Sequence, residues 1–133
     1  MRYIKPLLLG LTTTVMAVLL VIGGFLPGSS TALAATTTVQ MGSSTGMLVF
    51  EPAEVTIAPG DTVHYEVAGV PPHNVVFDPG NSAGDIATLS HQGFAMSGGF
   101  DVTFPADAAP GAYAYYCEPH RGAGMTGTIT VQG

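Results

Sequence analysis

From residue 35 onward, no stretch of the chain sustains the 3.6-residue period of an amphipathic helix. Short β-rich runs recur instead between Gly and Pro. Thr36–Met41 and Met47–Phe50 flank Gly42-Ser43-Ser44-Thr45-Gly46. Glu54–Ala58 and Thr62–Val67 flank Pro59-Gly60-Asp61, a turn that uses the preset φ of Pro and the freedom of Gly. His73–Phe77 follows Pro71-Pro72, and Phe100–Phe104 alternates apolar with polar residues. Ala112–Tyr116 follows Pro110-Gly111, and Thr126–Val131 comes last. The 18 Gly and 10 Pro argue against a helical bundle. This pattern predicts an all-β domain, an antiparallel β-sandwich of about eight strands with one short helical turn at Ala83–Leu89.

Residues 1–34 differ in character. Arg2 and Lys5 precede an uncharged, mostly apolar run from Leu7 to Leu26. Pro27-Gly28-Ser29-Ser30 interrupts it, and Ala32-Leu33-Ala34 follows. A basic start, an apolar run and a small-x-small site predict an export signal cleaved after Ala34. A retained anchor is the competing reading, since the run is long enough to span a bilayer. Thr12, Thr13, Thr14, Gly23 and Gly24 dilute it. Under either reading, residues 35–133 form one domain outside the cytoplasm.

That domain carries one basic side chain, Arg121, against nine acidic ones, a formal net charge of −8. It offers no basic patch for nucleic acid phosphates or for an anionic membrane surface. A cationic partner is favoured. Only 9% of the chain is charged, against about 25% in an ordinary soluble domain. Its polar surface must therefore come from Thr, Ser, Gly, Asn and Gln. Cys117 is the single cysteine, so no internal disulfide is possible. A lone thiol in an exported domain calls for another explanation.

The explanation lies in Tyr116-Cys117-Glu118-Pro119-His120-Arg121-Gly122-Ala123-Gly124-Met125. Cys117, His120 and Met125 are spaced C-x-x-H-x-x-x-x-M, and Pro119 with Gly122, Gly124 and Gly127 predicts a loop rather than a helix. Thiolate and thioether are soft ligands and imidazole is borderline, a mixture suited to copper in both oxidation states. A trigonal His₂Cys plane needs a second imidazole. His73 is the best candidate, held stiffly behind Pro71-Pro72 at a strand start. The set His73, Cys117, His120 and Met125 gives three strong ligands and a weak axial thioether, the pattern of a blue-copper electron-transfer site.

Taken singly, each residue has a plainer role: Cys117 as a buried hydrophobe, His73 as a strand-end residue, Met125 as core filler. Three ligand types within nine residues are poorly explained that way. Zinc is disfavoured because thioether is a poor zinc ligand. A Cys nucleophile with a His base lacks an orienting third group. His64 alternates with Val63 and Tyr65 and is expected to face solvent; His91 is expected at the surface. Met96 competes with Met125 as axial ligand but shares no loop with Cys117, and Met41 and Met47 are expected to pack.

Three segments carry a resemblance to a known family: Met47–Pro52, Pro72–Asp78 and Tyr116–Met125. The chain resembles the plastocyanins of cyanobacterial type, small type 1 blue-copper proteins, over nearly all of residues 35–133. The resemblance implies a Greek-key, cupredoxin-like sandwich with one copper ion at one end, held by His73, Cys117, His120 and Met125. It implies that Asn74 ties the two ligand-bearing loops together through hydrogen bonds. An apolar docking face is implied at Gly46, Leu48, Pro72, Gly122 and Ala123 around His120. Tyr116 corresponds to an aromatic residue proposed as a second route for electrons. The implied role is a monomeric one-electron carrier in the thylakoid lumen, peripheral to the membrane at most. It would take electrons from cytochrome f and deliver them to photosystem I.

The sequence departs from the plant members, whose acids form dense runs. Here Glu51, Glu54, Asp61, Glu66, Asp78, Asp85, Asp101 and Asp107 are scattered. Arg121 lies inside the ligand loop, where it is expected to orient a partner by pairing with an acid. Other roles are a non-photosynthetic blue-copper carrier and a copper carrier or storage protein. An enzyme is disfavoured: a multinuclear oxidase centre would have only His64 and His91 to build on, and a dinuclear thiolate site needs two Cys.

Overall fold

The computed structural model describes residues 32–133. The predicted export signal lies outside the described residues except for Ala32-Leu33-Ala34, which is exposed irregular chain. Among the described residues, no helix is long and apolar enough to cross a membrane.

The strands are β1 (Thr36–Met41), β2 (Phe50–Glu51), β3 (Glu54–Ile57), β4 (Thr62–Val67), β5 (His73–Ser82), β6 (His91–Ala95), β7 (Gly99–Thr103), β8 (Gly111–Tyr116) and β9 (Thr126–Val131). They form a four-stranded sheet in the order β2-β1-β4-β7 and a five-stranded sheet in the order β3-β9-β8-β5-β6. The architecture is the expected Greek-key sandwich. Inward positions alternate with outward ones, as in β4, where Val63 and Tyr65 are buried between Thr62, His64 and Glu66.

Three expectations need correction. The sheets are mixed, not wholly antiparallel: β1 runs parallel to β4, and β3 to β9. Alternation within a strand sets its inner face but carries no sign of its direction. Direction follows from the connections, which take the chain from one sheet to the other and back. Second, Ala83–Leu89 is not helical; it closes with a single turn in which the Leu89 N–H bonds to the Ile86 carbonyl at 3.0 Å. The helical segment is a 3₁₀ turn at Glu118–Ala123, inside the loop expected to exclude helix. Pro119 stands in its first turn, where the missing N–H costs nothing, and Gly124 ends it at φ +83°. Third, β6 is an additional strand. His91 lies on it, exposed and stacked on Phe100 with ring centroids 3.8 Å apart.

The core joins both sheets through aromatic side chains. Phe50 and Tyr115 meet at 4.8 Å between centroids, Tyr65 and Tyr115 at 5.5 Å, and Phe77 and Tyr115 at 5.3 Å. Tyr115 thus anchors β8, the strand that leads into Cys117. Burial pushes its phenol up to about 12, so it stays neutral at physiological pH. Met41 packs in this core as expected, whereas Met47 is 58% exposed.

Candidate metal centre

Adjacent strands bring the site together. In the five-stranded sheet β8 lies between β9 and β5. Tyr116 pairs with Thr126 on β9 and with Val76 on β5. Cys117, which follows Tyr116, therefore emerges beside Met125, which precedes Thr126, and near His73 at the start of β5. The loop between Cys117 and Met125 is closed by its own backbone. The Cys117 N–H donates to the Met125 carbonyl at 3.0 Å. The His120 N–H donates to the Cys117 carbonyl at 3.2 Å, and the Met125 N–H to the His120 carbonyl at 3.3 Å. The 3₁₀ turn points His120 back at Cys117.

One donor atom from each of His73, Cys117 and His120 lies within 4.8 Å of the other two. The Cys117 Sγ is 3.7 Å from the His73 Nδ1 and 3.5 Å from the His120 Nδ1. The two imidazole rings sit edge to face, with centroids 5.0 Å apart. His73, Cys117 and Met125 have no exposed surface, while His120 is half-buried and reaches the outside. The structure brings the three strong donors to one point and buries Met125 in the loop that frames them. Met96 is 62% exposed and lies apart in the β6–β7 connection.

The electrostatics suit a soft metal. Burial holds the His73 imidazole below the usual histidine range, and the nearby His120 adds to the effect. Its Nδ1 lone pair is therefore available near neutral pH. Burial also pushes the Cys117 thiol up, against the backbone N–H groups of Asn74 and His120, which favour the thiolate; the Glu118 carboxylate opposes them. Two imidazoles and one thiol converging on a single point fit copper by donor chemistry.

Asn74 is fully buried beside the centre. Its Oδ1 accepts the Glu118 N–H at 2.8 Å. Its Nδ2 donates to the Glu118 Oε2 at 3.1 Å and to the Gln92 carbonyl at 3.3 Å. The His73 segment, the Cys117 loop and β6 are thereby tied together. Sequence reasoning missed Glu118 and Gln92 here. Glu118 carried a weak signal, standing next to Cys117; Gln92 carried none, because it contributes only a backbone carbonyl.

The residues expected at a docking face differ in exposure. Gly46, Gly122 and Ala123 are exposed, while Leu48 and Pro72 are half-buried. Leu48 packs against the core. Tyr116 is half-buried, and the Arg121 guanidinium lies over its ring at 4.0 Å. Arg121 also helps hold the Asp78 carboxyl below its usual range, after the hydrogen bonds from Asn81 and Gly80. His64 is half-buried on β4 and hydrogen-bonds Asp101 at 2.6 Å, away from the centre.

Comparison with known proteins agrees with this geometry. The family model described as copper binding proteins, plastocyanin/azurin family, matches residues 37–132. A plastocyanin of Nostoc punctiforme is 48% identical over 139 aligned residues, covering 100% of both chains. A plastocyanin of a Synechococcus strain is 47% identical, covering 86% of this chain and 88% of its own. Among solved structures, the oxidised plastocyanin of Dryopteris crassirhizoma superposes with a TM-score of 0.61 at 30% identity, covering 72% of this chain and 100% of its own.

Proposed function

The chain belongs to the plastocyanin/azurin family of copper-binding proteins and is a blue-copper electron carrier rather than an enzyme, and from that premise we propose that it shuttles single electrons from cytochrome f to photosystem I in the thylakoid lumen. One observation carries the reading: two imidazole nitrogens and one thiol sulfur converge within 4.8 Å, buried except at His120. In this reading His73, Cys117 and His120 hold the ion strongly and Met125 is the weak axial ligand. Residues 1–34 direct export and are removed after Ala34.

Bound copper supplies the one-electron couple. The protein supplies a fixed frame. Asn74 and the closed Cys117–Met125 loop hold the donors in one arrangement, so little rearrangement accompanies a change of charge. Cys117 would hold the ion through its thiolate. His73 and Met125 exclude water. His120 brings the centre to the surface among Gly46, Leu48, Pro72, Gly122 and Ala123, where a partner can approach closely. A small apolar face allows rapid release, as transient redox complexes require. Tyr116 extends from the Cys117 backbone as a second exit.

The test has two stages. The purified protein loaded with one equivalent of Cu(II) is expected to show an intense blue band that ascorbate bleaches reversibly. Cys117→Ser is expected to abolish it; a pale wild type would end the copper-thiolate reading. Flash kinetics with cytochrome f and photosystem I then test the route. Arg121→Gln is expected to slow transfer with at least one of them while leaving the band unchanged. Equal rates with both would remove Arg121 from the docking surface.

A further inference from the structure

The described residues hold five sulfur atoms, in Met41, Met47, Met96, Cys117 and Met125, and exposure splits them into two sets. Met41, Cys117 and Met125 have no exposed surface, and the last two lie at the metal centre. Met47 is 58% exposed and Met96 62%. Met47 sits on the turn after β1, between Gly46 and Leu48. That turn is fixed: the Met47 N–H donates to the Oγ of buried Ser43, and the Ser43 N–H to the Met47 carbonyl, both at 3.0 Å. The Ala68 and Gly69 N–H groups donate to the Met41 carbonyl at 3.0 and 3.2 Å, which sets the turn beside the segment leading into His73. Met96 takes no part in the donor set. It directly follows Ala95, however, which pairs with His73 in the antiparallel β5–β6 register. It therefore leaves β6 on the side of Pro72. Each exposed thioether thus neighbours, along the chain or across the sheet, a residue of the face expected around His120.

We propose that Met47 and Met96 are modification sites at which a hydroperoxide, hydrogen peroxide being the simplest, weakens partner docking while leaving the metal centre intact. The proposal rests on the electron-carrier reading and adds a form of regulation to the same face. The sulfur lone pair attacks one oxygen of hydrogen peroxide. The S–O bond forms as the O–O bond breaks, the proton on the transferred oxygen passes to the departing one, and water leaves. The thioether is oxidised by two electrons to a sulfoxide, and the peroxide is reduced by two.

Selectivity follows from burial. The peroxide must reach the sulfur itself, and Met41, Cys117 and Met125 are enclosed. The product is a polar acceptor on a face that works by excluding water. Covering it in a complex without a donor strips its hydration and replaces nothing. The net charge is unchanged, so long-range attraction of a partner persists while close contact weakens. A methionine sulfoxide reductase reverses the change.

The test exposes the Cu(II)-loaded protein to hydrogen peroxide and maps the added oxygen by peptide mass spectrometry. One oxygen is expected on Met47 and one on Met96, before any on Met41 or Met125. The blue band should persist. Electron self-exchange between Cu(I) and Cu(II) copies, which brings two such faces together, should slow about tenfold. Transfer with cytochrome f and photosystem I should slow likewise, and sulfoxide reductase should restore the rates. A protein carrying both Met47→Leu and Met96→Leu should keep its own rates through the same treatment. Oxygen arriving on Met41 or Met125 as early as on Met47 and Met96 overturns the sites. Unchanged self-exchange after both sulfoxides have formed overturns their effect on docking. An untreated protein that is blue but passes no electrons to photosystem I overturns the photosynthetic route, and the self-exchange test still decides the proposal.

Discussion

Asn74 has no exposed surface, and its side-chain hydrogen bonds go to Glu118 and Gln92, which are distant in sequence. Removing its amide leaves the Glu118 N–H without its acceptor beside a buried centre. Such a loss costs about 1–3 kcal/mol. Loss of a residue that orients metal ligands typically weakens metal affinity about 10–100-fold. Asn74→Ala is therefore expected to show both effects, by denaturant unfolding of the copper-free protein and by chelator competition for Cu(II). Unchanged affinity would mean that the loop backbone alone holds Cys117 and His120. The legibility of this neighbourhood in the sequence was uneven, for a physical reason. Cys117, His120 and Met125 stand out because soft ligands are rare and close in the chain, and His73 because two prolines precede it. Asn74 is visible only through family resemblance, since a buried Asn looks like any other Asn. Gln92 acts through a backbone carbonyl, which sequence does not distinguish.

The strands whose apolar residues alternate were readable with little error. β1, β4 and β9 match the expected bounds, because one face of each is in the core and the other in water. β6 was not readable, because four of its five residues are exposed and its inward alternation is missing. The parallel pairings were invisible because direction belongs to the connections. The 3₁₀ turn was missed because Pro and Gly oppose the interior of a long helix but suit the ends of a short turn. A cross-strand pair offers a sharp test of how β8 and β9 fit. Gly127 on β9 pairs with Tyr115 on β8, and a Cβ at Gly127 would run into the Tyr115 ring and hydroxyl. Tyr115 cannot retreat, being packed by Phe50, Tyr65 and Phe77. Gly127→Ala is expected to cost about 1–3 kcal/mol or more by overpacking. Calorimetry checks this, and an unchanged melting temperature would show that the sheet can spread at this pair.

Across the whole domain the metal centre occupies one end of the sandwich, and a carboxylate fastens the other. Asp61 lies between β3 and β4, just before the Thr36–Thr62 end of the β1–β4 pair. Its Oδ1 accepts the Ala35 N–H at 2.8 Å and its Oδ2 the Ala58 N–H at 2.9 Å. The Thr62 N–H donates to the Ala35 carbonyl at 2.8 Å, closing the clasp. These N–H groups, Ala35 first and Ala58 second, hold the Asp61 carboxyl below its usual range. A carboxylate whose pKa is lower when folded stabilises the fold fully above its unfolded pKa, about 3.9. That contribution is lost as pH falls through the folded value. Asp61→Asn keeps the shape but can neither accept both bonds nor ionise. In copper-free protein it is expected to melt below wild type at pH 7, with the gap narrowing once pH drops below about 4. Thermal unfolding followed by circular dichroism from pH 7 to pH 2 measures the gap. A gap that stays constant to the acid end would show that Asp61 acts through shape alone. Copper-free protein is the right material, because protons also compete for His73, His120 and Cys117 when the ion is bound.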